Sequence, residues 1–214
     1  MATTRALLTP TADTTPAIAR VPGRELSGAQ WVARFMTSTS IDDCTAPFRE
    51  GLQSFVNALQ SAGAQVSIAA TYRPPERAYL MHWCWQIVNG NADPRTVPAR
   101  EGVSIQWAHA TAAGAYSRDA SLTAARAMVD GYGMQSLGVA PALNSKHTQG
   151  LAVDMSISWD DALSIVDARG RAVRINTTPR SGMNTDLHGV GATFGVIKYN
   201  GGGTDRPHWS DAGN

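Results

Sequence analysis

"NSKHTQGLAVDMSI", residues 144–157, is the stretch on which the reading of this chain turns. One of only five histidines in 214 residues, His147, stands seven positions ahead of an aspartate, Asp154. The second half of the stretch reads as a buried strand. Side chains alternate there with period two, so Gly150, Ala152 and Asp154 share one face, while Leu151, Val153 and Met155 point towards a core. A carboxylate in such a strand is costly unless something positive meets it. His147 lies just before a bend at Gly150 and can fold back over the cleared face. Imidazole and carboxylate are both zinc ligands. A His–Asp hydrogen bond holding a turn has the same spacing, so this stretch alone leaves both readings open.

A second histidine-bearing stretch, "TDRPHWS", follows some fifty residues on. Pro207 restricts the backbone ahead of His208, and Gly201 to Gly203 let the chain turn into it. His208 as a third donor makes a two-histidine, one-carboxylate set with an open position, the makeup of a catalytic rather than a structural zinc site. Asp205 then stands where a general base is needed. The plainer alternative is a surface or partly packed histidine beside an aromatic.

Working outward, residues 1–24 are rich in Thr, Ala and Pro and read as a flexible arm, with residues 25–214 as one domain. Helical spacing is expected after Ser27, over 48–59 (Pro47 in the first turn, Gly63 as the stop), over 75–90 and over 119–132. A short helix is expected near 184–191. Strand patterns cover 65–72 and 194–200, and "LSIVDARGRAVRIN" reads as a hairpin turning at Ala168, Arg169 and Gly170. Residues 91–117 read as a long loop of the kind that often carries function. Helices lead and strands cluster late, so the expected class is α+β, with helices packed on a small antiparallel sheet.

Composition excludes several functions. A formal net charge of +1 with no Lys/Arg block argues against nucleic-acid binding, and no apolar stretch is long enough to span a membrane. Two cysteines, Cys44 and Cys84, are too few for a disulfide framework or a four-thiolate zinc site. They are either buried free thiols or one bridge. The remaining histidines read as packed (His82), lining the long loop (His109) or capping (His188). Trp107, Trp159 and Trp209 are core residues or cleft walls, with Trp209 the best cleft candidate because it adjoins His208. No G-x-S-x-G or S-x-x-K pattern offers a serine nucleophile.

"SKHTQGLAVD" resembles the Ser-x-His-x-x-Gly-x-Ala-x-Asp signature of the vancomycin-resistance type D,D-peptidases. These belong with the zinc peptidases that include lysostaphin and the hedgehog N-terminal domain. "DRPHW" resembles that family's late acidic-x-x-His-Trp element, and "TYRPPER" resembles its arginine after a strand. The three occur in family order across residues 69–209, about two-thirds of the chain. The resemblance implies a hedgehog/D,D-peptidase-like fold and one zinc ion held by His147, Asp154 and His208. It implies Asp205 as catalytic acid/base, where glutamate is commoner. Arg73 would contact substrate and polarise the reacting carbonyl, and Ser145 would touch substrate or fix the turn.

The implied activity is cleavage of peptidoglycan stem peptides, as a D,D-carboxypeptidase or an L-Ala-D-Glu type endopeptidase. The N-terminus lacks the apolar core of a secretory signal, so the expectation is synthesis in the cytoplasm and action on the cell wall or periplasm. A phage endolysin and an injected antibacterial effector both fit, the latter with a delivery apparatus and an immunity protein as partners. The chain is expected to be monomeric. Two alternatives belong to other classes: a catalytically inactive zinc-containing module that binds peptidoglycan or protein, and a non-haem iron oxygenase, which also uses two histidines and a carboxylate.

Overall fold

Residues 17–201 and 205–214 are described by the structure, a computed structural model. The first part of the chain supplies β1 (Glu25–Leu26), α1 (Phe48–Ser61), β2 (Gln65–Ala70), α2 (Pro75–Val88), β3 (Ile105–Gln106), β4 (His109–Ala110), β5 (Tyr116–Ser117) and α3 (Arg118–Gly131). Then come β6 (Ala152–Ser158), β7 (Leu163–Val166), β8 (Ala172–Ile175), α4 (Thr185–Thr193), β9 (Ile197–Lys198) and β10 (His208–Ser210). The class is α+β, as expected, with four helices and a four-stranded antiparallel sheet among the described residues. None of the described helices is long and apolar enough to cross a membrane. The elements group into two compact units, residues 17–32 with 83–137, and residues 33–82 with 138–214.

In the first unit α3 starts at Ser117, whose hydroxyl accepts the Ala120 N–H. That is the usual service of a serine N-cap to an otherwise unpaired donor. Ala125, Met128 and Val129 form its buried face. The stretch expected as a free arm is tied down from Ala17 onward. Ile18 N–H donates to Gly114 O at 2.9 Å, the Gln106 side chain accepts from Val21 N–H, and β1 pairs in parallel with β3. Residues 1–16 lie outside the described part.

The helix expected after Ser27 is a single 3-10 turn, Ala29–Trp31. The side chains of Gln30 and Trp31 both donate to Leu26 O, folding the segment back on itself. Likewise the loop over 91–117 contains three two-residue strands, β3 to β5.

The second unit holds the main core. Phe48, Leu52, Phe55, Val56 and Leu59 of α1 recur at helical spacing and are all buried. Burying each such side chain is worth about 1.5–3 kcal/mol. They pack on Val153, Met155 and Ile157 of β6 and on Trp209 of β10. Strand order in the sheet is β2-β6-β10-β9, every neighbour antiparallel. Directly opposed residues of such a pair share a face. The register sets Trp209 opposite Val153, towards the core, and His208 opposite Asp154, away from it. Ala70 of β2 also stands opposite Asp154, after an irregularity between Ile68 and Ala70. The sheet register alone therefore delivers His208 and Asp154 to the same spot. The hairpin turns over 167–171 between β7 and β8, as its sequence suggests.

Gly150 has a different reason from the one its sequence context suggests. It does not clear space above the Asp154 face; it ends the 3-10 turn His147–Gln149 in the left-handed region, at φ 71°. A Cβ there would also come within 2.7 Å of Thr45 Oγ1 and 3.1 Å of Thr45 N. Both the backbone angle and the packing against Thr45 demand glycine.

Candidate metal centre

Three side chains converge over the two central strands of the sheet, on the face turned away from the core. His147 Nε2 lies 3.2 Å from Asp154 Oδ1 and 3.2 Å from His208 Nδ1, and His208 Nδ1 lies 3.1 Å from the same Asp154 oxygen. His147 and His208 are buried, and Asp154 is partly so. Their far ring atoms decide which nitrogens carry protons. His147 Nδ1 is 2.6 Å from Thr71 O, and His208 Nε2 is 3.3 Å from Asn214 O. A carbonyl only accepts, so both outward nitrogens carry the N–H and both inward nitrogens of the neutral rings present lone pairs.

Two imidazole lone pairs and a carboxylate oxygen within 3.2 Å of one another repel unless a cation lies among them. A shared proton relieves one edge of the triangle; a metal ion relieves all three. Donors at about 2.1 Å around a tetrahedral ion stand about 3.4 Å apart, so the triangle needs to open by only about 0.2–0.3 Å. Carbonyl partners on the outer N–H groups are the usual device for aiming histidine ligands. The group fits a divalent ion of zinc's chemistry.

Without a metal, protonation of the rings supplies that positive charge instead. Burial raises the Asp154 pKa, but hydrogen bonds and positive charge from His147 and His208 outweigh it and hold the carboxyl well below the usual range. Burial lowers the His208 pKa, but Asp154, with a further contribution from Asp205, raises it above its ordinary value. A depressed carboxylate stabilises the fold above its unfolded pKa and loses that as pH falls through its folded one. A raised histidine stabilises it below its unfolded pKa and loses that as pH rises through its folded one. The metal-free protein is expected to have its highest Tm between about pH 4 and pH 6.5, falling on either side. Zinc binds the neutral rings, so adding it raises Tm chiefly on the alkaline side. Thermal melts across pH, with chelator and with zinc, check this. A metal-free Tm that does not fall above neutrality would break the proposed coupling.

Around the triangle, the residues singled out from sequence divide. Asp205 is near it, its Oδ2 3.9 Å from His208 Nδ1, with its side chain half exposed. Arg73 is held there by its main chain, whose N–H donates to His147 O at 3.0 Å. Its guanidinium Nε is buried with no hydrogen-bond partner among the described residues. Burial lowers its pKa, and Asp154 and Asp205 pull the other way. Ser145 is bonded within its turn: its hydroxyl accepts Thr148 N–H, and its own N–H donates to Thr148 Oγ1 at 2.9 Å.

Trp209 does not line this site. It is fully buried, 5.7 Å ring-to-ring from Phe55 and edge-on to His188. Adjacent residues of a strand face opposite ways, so the neighbour of a ligand on β10 belongs to the core. Cys44 and Cys84 are free and buried, and burial pushes their thiols up to about 11 and about 12. His82, His109 and His188 bond to Pro141 O, Ser27 Oγ and Gly182 O.

Sequence reading missed Thr71 and Asn214, which act through main-chain carbonyls, and Lys198. Only Lys198 carries a signal in its side chain: a lysine in the otherwise apolar run "FGVIKY". What fold and site define together is an α+β protein whose central strands carry a buried His-Asp-His group able to hold a metal ion. No known family model matches the chain, and no curated protein sequence matches it either.

Proposed function

We propose that the protein is a zinc-dependent peptidase that hydrolyses peptidoglycan stem peptides, with the hedgehog/D,D-peptidase type of fold. The observation that carries the reading is the triangle of His147, Asp154 and His208, three lone-pair donors aimed at one point. Three protein ligands leave one coordination position open, as a hydrolytic site requires. The substrate class rests on the likeness of "SKHTQGLAVD" and "DRPHW" to the D,D-peptidase signature.

A zinc ion in this site supplies Lewis acidity and lowers the pKa of water towards 7. The chain's own groups do the rest. Asp205, half exposed beside His208, accepts the proton of the attacking water and returns it to the leaving amine. Arg73, with an unsatisfied guanidinium donor, offsets charge developing on the carbonyl oxygen. The Thr71 and Asn214 carbonyls keep both imidazoles turned correctly throughout.

The test is digestion of purified sacculi by the zinc-loaded protein, followed by muropeptide analysis. Release of terminal D-Ala marks a D,D-carboxypeptidase, and new N-terminal D-Glu groups with freed L-Ala ends mark the endopeptidase. Zinc-loaded protein that binds sacculi and releases nothing supports the inactive binding module instead. Metal analysis returning iron, with activity dependent on a 2-oxo acid, supports the oxygenase.

A further inference from the structure

Lys198 is only 6% exposed, and lysine is almost never buried to that extent unless its ammonium is matched. It lies on β9 opposite Trp209 of β10, with its Nζ 5.4 Å from the indole ring. The match comes from main chain. Lys198 Nζ donates to His208 O at 2.9 Å and to Asp205 O at 3.3 Å. Those two carbonyls bracket one turn.

Other bonds converge on the same turn. Asp205 O also accepts His208 N–H at 3.4 Å, His208 O accepts Tyr199 N–H at 3.1 Å, and Pro207 O accepts Met155 N–H at 3.0 Å. The Tyr199 ring stands edge-on to His208, 5.7 Å away. Two groups leave the turn for the site: the His208 ring, with Nδ1 in the donor triangle, and the Asp205 carboxylate 3.9 Å from that nitrogen. An ammonium suits this work. It is a compact charge with three rotatable donors and no acceptor, able to hold two carbonyls at once.

We propose that Lys198 is the positioning residue of the centre, fixing the turn from Asp205 to His208 so that ligand and carboxylate enter from one rigid turn. What the two groups do rests on the zinc-peptidase reading above. Metal affinity, the first readout, needs no hydrolysis.

The experiment compares Lys198→Met with Lys198→Arg in the full chain. Methionine keeps an unbranched apolar stem and removes every donor, whereas arginine keeps charge and donors. Loss of a group that orients a ligand typically costs 10–100-fold in metal affinity. K198M is expected to bind zinc about 10–100-fold more weakly and to shift the visible spectrum of the cobalt-substituted protein. K198R, which keeps charge and donors on a bulkier planar head, is expected to lose less affinity than K198M. K198M with unaltered affinity and spectrum overturns the proposal, and so does a fall in Tm alone, which marks a packing residue. Should K198M not fold, K198Q, with a neutral amide donor, takes its place under the same criteria. A wild-type protein that takes up no metal refutes the centre, and the proposal falls with it. A wild-type protein that binds zinc but cuts no peptide refutes the hydrolase reading, while the K198M affinity still decides this one.

Discussion

Asp154→Asn is expected to leave a folded protein that no longer holds zinc tightly and no longer cuts peptide. Asparagine keeps the shape of the side chain and one possible hydrogen bond to either ring, but it removes the only anionic donor of the triangle. Structural zinc sites with four ligands bind with roughly 10–16 kcal/mol. One ligand is therefore worth about 2.5–4 kcal/mol, or about 10²–10³ in affinity. The same substitution separates the metal reading from a purely structural His–Asp–His cluster. In a structural cluster Asp154 serves to neutralise a buried imidazolium, and breaking such a pair costs about 3–5 kcal/mol of stability. With a metal site, the loss shows in zinc stoichiometry and competition titrations, and the zinc-induced gain in Tm disappears. D154N protein that takes up one zinc with unaltered affinity would place the metal elsewhere.

Much of the architecture was legible because it rests on local pattern. α1 carries five apolar residues at helical spacing with Gly63 beyond its end, and β6 carries a strict alternation. The metal group was legible for the same reason, since period two put the Asp154 carboxylate on the face opposite Val153 and Met155 and a second histidine followed on a short strand. What failed depended on main-chain acceptors and turns that a spacing pattern does not carry. "GAQWVARFM" has helical spacing, yet Leu26 O draws back the side chains of both Gln30 and Trp31, leaving one 3-10 turn. The strand expected over 194–200 is regular only at Ile197–Lys198; α4 runs on to Thr193 and Gly195 turns the chain at φ 73°. Within the site, Thr71 and Asn214 contribute carbonyls, which every residue has, so no side-chain pattern announces them. Trp209 was misplaced by its nearness to His208 in sequence, a nearness that a strand turns into opposition.

Asp205→Asn is expected to lower kcat by about 10²–10⁴, the range typical of a lost general acid–base, with zinc content unchanged. The structure makes this substitution unusually clean. The turn is held through the Asp205 carbonyl, which takes bonds from Lys198 and from His208 N–H, so exchanging the side chain leaves the scaffold alone. The carboxylate is half exposed and its nearest charged neighbour in the triangle is His208, at 3.9 Å. A surface change of this kind alters stability by about 0.5 kcal/mol or less. Loss of turnover without loss of metal or fold therefore isolates proton transfer. The pH profile carries a second signature, because removing the base abolishes the limb of kcat/KM that reports its ionisation. Asp205→Glu keeps the group on a stem one methylene longer and is expected to retain activity within about tenfold, far above the level of D205N. If D205N releases muropeptide products at the wild-type rate, the base lies elsewhere, and Asp205 contributes to the site through its backbone alone.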